Sequence, residues 1–258
     1  AVKEADIGVA MGISGTDVTK EASDMVIADD NFATIVAAVE EGRGIYSNIR
    51  KFIRYLLGCN IGEILTMFLA SLAGMPIPLL PIQILWTNLV TDGLPAVALG
   101  VEPTEKELMG QSPRPPDEGV FSRGLGWKIL FQGITIGIMT VTLFFLAMWL
   151  GADLREARTI AFSSLVFSQL SYVFACRSET RALRKISAWE NPFLLGAVFI
   201  SALMQLFVIY TPVLQSIFQT SALTMRGWLL VFASAVTSVL MAETVRWCGR
   251  ILKRVVRH

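Results

Sequence analysis

Leu85-Trp86-Thr87-Asn88-Leu89-Val90-Thr91-Asp92-Gly93-Leu94-Pro95 lies inside an apolar run from Ile82 to Val101. A run of this size is close to the ~20 residues a helix needs to cross a bilayer. Asn88, Thr91 and Asp92 stand at i, i+3 and i+4, so a helix presents them on one face. Gly93 and Pro95 follow at once and are expected to interrupt the helix at Asp92, freeing backbone carbonyls as in the broken helices that line transport sites.

Five further apolar stretches flank this one: Tyr55 to Gly74, Trp127 to Leu150, Ile160 to Ala175, Phe193 to Tyr210 and Trp228 to Val245. With 53% hydrophobic residues among 258 and a mean hydropathy of +0.58, the chain reads as a membrane protein. Basic residues cluster before the first span (Arg43, Arg50, Lys51, Arg54), after the fourth (Arg177, Arg181, Arg184, Lys185) and after the sixth (Arg246, Arg250, Lys253, Arg254, Arg257). The positive-inside rule then predicts an integral, multi-pass protein with both termini in the cytoplasm. A net charge of +1 with scattered arginines argues against a nucleic-acid partner; membrane lipid is the expected surrounding. Cys59, Cys176 and Cys248 read as buried thiols, and the one histidine, His258, leaves no zinc site or histidine-based triad to assemble.

The first 44 residues differ in kind. Ile7 to Ala10, a glycine turn at Gly12 and Gly15, a helix from about Thr16 to Ser23, a second short apolar run at Met25 to Ala28 and a helix from about Phe32 to Glu41 give a strand, helix, strand, helix order. Such a unit is too small to bury a core alone and is expected to complete a larger sheet. No proline or glycine falls between Ile45 and Leu57, which predicts a stalk helix over 45–54 that enters the bilayer without a flexible linker. The expected division is therefore 1–44 cytoplasmic α/β segment, 45–54 stalk and 55–258 six-helix transmembrane domain. The chain opens without an initiator methionine; it is expected to carry no signal peptide and to begin inside a domain whose earlier part lies upstream.

Glu63 lies nine residues beyond Arg54, about 13 Å at the helical rise, near mid-bilayer. Asn60, three residues earlier, shares its face. The proline-rich turn Met75 to Pro81 makes the first two spans antiparallel neighbours, so their polar faces can meet. An ionised carboxylate in lipid costs roughly 3 kcal/mol on insertion scales, and two at matching depth need a compensating cation. The oxygens of Asn60, Glu63, Asn88, Thr91 and Asp92 form a hard set suited to calcium rather than zinc or copper. Asn, Thr and Gln in a span also serve as interhelical glue, and both readings stay open for Gln169, which has Ser168 and Ser171 nearby.

Asp6-Ile7-Gly8-Val9-Ala10-Met11-Gly12 through Gly15-Thr16, Ala28-Asp29-Asp30-Asn31-Phe32, Val39-Glu40-Glu41-Gly42-Arg43 and the Leu85 to Pro95 run closely resemble the sarcoplasmic-reticulum-like calcium pumps of the P-type ATPase family. The resemblance implies an α-helical membrane bundle, the last six spans of ten. A partial α/β segment of a haloacid-dehalogenase-like phosphorylation domain would precede it. It also implies that Asn60, Glu63, Asn88, Thr91 and Asp92 are calcium ligands, and that Gln169 replaces a ligating glutamate. An amide supplies no negative charge, so one calcium per cycle is expected. The phosphorylated aspartate is absent from this stretch, so no catalytic residue is assigned and this stretch alone is expected not to hydrolyse ATP. ATP and Mg²⁺ would bind the missing amino-terminal part of the same pump, the implied partner. The expected residence is the plasma membrane of a prokaryote. Alternatives are a pump for manganese or for sodium and potassium, a passive cation channel or permease, and a non-transporting membrane module.

Overall fold

The computed structural model describes residues 2–115, 118–179, 181 and 183–255; Arg257 and His258, on which the topology and histidine readings drew, lie outside the described residues. Two compact units emerge, one formed by Ala1–Ser47 with Thr104–Pro113, the other by Asn48–Pro103 with Arg114–His258.

In the first unit, β1 (Val9–Met11), α1 (Asp17–Glu21), β2 (Met25–Ile27) and the start of α2 (Phe32–Leu72) follow in the expected order. β1 and β2 pair in parallel, Val9 opposite Met25 and Met11 opposite Ile27. Acidic side chains hold the turns: Asp24 accepts from the Gly8 N–H at 2.7 Å, and Asp30 accepts from Ile13 and Ser14 at 2.8 and 2.7 Å. Thr16 caps α1 by accepting from the Thr19 N–H, satisfying an orphan donor of the first turn. α2 does not end near Glu41 as expected. It runs through Gly42 and Gly44 to Leu72; each interior glycine costs about 1 kcal/mol relative to alanine, a small debit across 41 residues. Gly44 is needed for packing, since a Cβ there would collide with the Thr104 side chain.

The second unit contains the rest of α2, then α3 (Pro81–Trp86), a π-helical turn (Thr87–Thr91), α4 (Gly93–Gly100), α5 (Leu125–Trp149), α6 (Leu154–Cys176), α7 (Pro192–Tyr210), α8 (Pro212–Phe218) and α9 (Met225–Val255). Among the described residues five helices are long and apolar enough to cross a membrane: α2, α5, α6, α7 and α9. The second expected span, Ile82 to Val101, is instead three short helical pieces. Its interruption also differs from expectation. The chain is widened rather than unwound: the Asp92 N–H donates five residues back to the Thr87 carbonyl at 2.8 Å, and a new helix begins at Gly93. Pro95 falls in the first turn of α4, where its missing N–H costs nothing.

α6 is the centre of this unit, with 83% of its most apolar window buried against 28% for those of α7 and α9. Asp153 caps it by accepting from the Glu156 N–H at 2.6 Å. Small residues let helices approach closely. Gly58 and Gly62 on α2 face Gly133 and Gly137 on α5: a Cβ at Gly62 would lie 2.8 Å from Ile136, and one at Gly137 2.8 Å from Leu65. Across α6 and α9, Ser234 and Ser238 donate to the Ser164 and Ser168 carbonyls at 3.3 and 3.2 Å.

Candidate cation site

Glu63 and Asp92 are 4% and 0% exposed, and the polar groups around each differ. Asn88 Nδ2 donates to Glu63 Oε2 at 2.7 Å, and Gln169 Nε2 donates to Glu63 Oε1 at 3.0 Å. Three separate elements, α2, the π turn and α6, thus converge on one carboxylate. Asp92 Oδ1 accepts from the Tyr55 hydroxyl at 3.1 Å; its Oδ2 and Gln169 Oε1 are buried without a hydrogen-bond partner. Buried oxygens left unpaired cost about 1–3 kcal/mol each, and a site that receives a cation is one place where such a cost persists.

Of the sequence-derived candidates, Glu63, Asn88 and Gln169 are in direct contact, and Asp92 stands one turn beyond Asn88. Thr91 is fully buried, but its hydroxyl donates to the Thr87 carbonyl at 3.0 Å within its own segment, the back-bond that accompanies the widened turn. Asn60 is half-buried one turn before Glu63. Asn88 and Gln169 present N–H groups to Glu63, so their amides stand where the positive charge of a cation would be. As cation ligands they would turn their carbonyl oxygens inward.

Tyr55 escaped the sequence reading, although it precedes Glu63 by eight residues and therefore lies on the same helical face. The basic residues that predict topology include several buried structural groups. Arg54 lies over the Tyr172 ring, 5.7 Å from its centroid. Arg177 Nε donates to Glu102 Oε1 at 2.7 Å, and Arg50 grips Glu179 through Nε and Nη2 at 2.8 and 3.1 Å. Burial pushes the Glu179 carboxyl up, but the hydrogen bond and charge of Arg50 prevail and hold it below its ordinary range. At the loop surface Arg123 and Ser122 hold Glu118 down to about 2. Among the described residues no group of three or more His, Cys, Asp and Glu could hold a metal ion; a cation here would rely on amide and hydroxyl oxygens beside the two carboxylates.

Residues 76–248 match the carboxy-terminal region of cation transporting ATPases. A calcium-transporting ATPase of Bacillus subtilis (strain 168) is 54% identical over 247 residues, covering 95% of this chain and 28% of the relative. Calcium-transporting ATPase 1 of Bacillus cereus is 43% identical, covering 95% of this chain and 29% of its own length. The endoplasmic reticulum-type calcium-transporting ATPase 4 of Arabidopsis thaliana is 35% identical, covering 97% and 29%. The chain therefore spans less than a third of the length of these relatives.

Proposed function

The chain belongs to the cation transporting ATPases through their carboxy-terminal region, and from that premise we propose that the whole protein is an ATP-driven calcium pump. Its intramembrane cation site would be built from Asn60, Glu63, Asn88, Thr91, Asp92 and Gln169. The observation that carries this reading is the convergence of Asn88 and Gln169 on Glu63 beside Asp92, whose second oxygen is unpaired in a widened helix. Hard oxygen donors with two carboxylates suit calcium, the ion named for each relative. A channel or permease would need neither the parallel strand pair nor the helix that continues from it into the apolar region.

The remaining assignments follow from the same reading. The first unit completes a haloacid-dehalogenase-like sheet, and ATP and Mg²⁺ act on residues of the pump beyond this chain. The segment Pro81 to Gly100 makes a sixth crossing, with both ends of the chain in the cytoplasm of a bacterial plasma membrane. ATP-dependent ⁴⁵Ca uptake by vesicles carrying the full-length protein tests the reading. Uptake lost on Asp92→Asn is the expected result; uptake of manganese in preference to calcium, or flux without ATP, would overturn it.

A further inference from the structure

α4 is a short rod with Asp92 at its start and an unusually built joint at its end. The last carbonyls of a helix have no partner within it. Here neighbouring helices supply them: Asn191 Nδ2 donates to Ala98 O at 3.0 Å, and Asn48 Nδ2 donates to Gly100 O at 3.3 Å and Glu102 O at 2.7 Å. Lys51 Nζ braces Asn48 Oδ1 at 3.1 Å. The Glu102 carboxylate, 6% exposed, accepts from Arg177 Nε at 2.7 Å and from Asn191 Nδ2 at 2.6 Å. Arg177 also donates to the Ser187 carbonyl at 2.8 Å. One carboxylate thus ties together the end of α4, the end of α6 and the N-cap of α7, and its own backbone is held by α2.

The same helix α2 touches both ends of the rod. Asn48 meets Gly100 and Glu102, while Tyr55, seven residues along the same face, donates to Asp92 Oδ1. Two attachment points about 10 Å apart on one helix fix both the position of the rod and its rotation. Rotation matters because Asp92 Oδ2 is, with Gln169 Oε1, one of the two buried unpaired oxygens at the site. α4 is regular helix over Gly93–Gly100, and Glu102, two residues past its end, is tied back to it by its N–H donating to the Leu99 carbonyl at 3.3 Å, so a shift at Glu102 can pass along α4 to Asp92.

We propose that Glu102, through its ion pair with Arg177 and its bond from Asn191, is a positioning residue that sets the orientation of Asp92 toward the transported cation. It touches no ion itself. The inference rests on the cation-site reading above. Its magnitude follows from residues that orient metal ligands elsewhere, whose loss weakens metal affinity by about 10–100-fold.

The test uses the full-length protein in membranes and three variants: Glu102→Gln, Arg177→Gln and the two combined. Either single change leaves a buried charge or an unmatched guanidinium and lowers the folded yield. The double variant removes both charges and is expected to recover much of that yield. Its half-activating calcium concentration should remain at least about tenfold above wild type, with the maximal rate at saturating calcium nearly unchanged. Glu102→Asp, which keeps the charge, should fall between. A folded double variant with the wild-type half-activating concentration would reduce the pair to a structural clasp and overturn the proposal. So would a loss confined to maximal rate. Wild-type protein assayed alongside separates the two readings: activation by a different cation would refute the calcium assignment, and the shift would then be read with that cation.

Discussion

Two kinds of buried or part-buried carboxylate occur in the second unit. Glu102 and Glu179 each have a fixed guanidinium, from Arg177 at 2.7 Å and Arg50 at 2.8 Å. Glu63 and Asp92, deeper in the apolar stretch, have amides and a phenol instead. A permanent cation makes a carboxylate a clasp between helices, and its charge is already spoken for. Neutral donors orient a carboxylate without cancelling its charge, which leaves room for a cation that comes and goes.

The largest effect that would break this contrast is on Asp92. Asp92→Asn keeps size and the Tyr55 contact but removes the charge, and it should abolish ATP-dependent uptake while the protein still reaches the membrane in normal amount. Glu63→Gln should likewise reduce uptake strongly, measured by the same assay.

Arg50→Gln probes the other class and should act on stability rather than ion affinity. Glu179 is held below its ordinary range when folded, so the unfolded chain binds more protons in acid. The stability this supplies is present above the ordinary carboxylate range and fades as pH falls through the folded value. Thermal unfolding in detergent should therefore show a deficit for Arg50→Gln at neutral pH that narrows on acidification. A deficit independent of pH would remove Glu179 from the clasp class.

Gln169 sharpens the comparison because it sits between classes. Gln169→Ala removes one of the two amides on Glu63 and should raise the half-activating calcium concentration only a few-fold, the loss of about one hydrogen bond. Gln169→Glu adds a carboxylate to the site, and affinity rising with ligand charge predicts tighter binding or a second bound calcium, readable by ⁴⁵Ca stoichiometry. Smallest of all should be Glu118→Gln. Its low pKa of about 2 reflects Arg123 and Ser122; Arg123 is half-exposed, where solvent screens such a pair, and unfolding temperature should hardly move.

Local spacing made the candidate residues legible. Asn60 with Glu63, and Asn88 with Thr91 and Asp92, stand at spacings that a 3.6-residue repeat puts on one face, and Gly93 with Pro95 marked where the helix changes; the π-helical turn over Thr87–Thr91 alters that repeat and leaves Asn88 exposed while Thr91 and Asp92 are fully buried. The same rule would have found Tyr55. It could not have found the clasps, because Arg50 and Glu179 lie 129 residues apart and Arg177 and Glu102 75 apart; their pairing exists only once helices pack. Nor does composition say whether an arginine near a span end stays in water, as the topology rule assumes, or folds inward as Arg177 does at 2% exposure.

The amino-acid sequence by itself determined the apolar segments, the strand, helix, strand order at the start, and which polar residues fall inside apolar segments. Periodicity and hydrophobic length are local properties of the chain. Tertiary structure decided that Gln169 reaches Glu63, that Asp92 keeps one oxygen unpaired and that α4 is anchored at Glu102. Each depends on how far one helix is rotated against another, and close packing of glycine and serine faces sets that rotation.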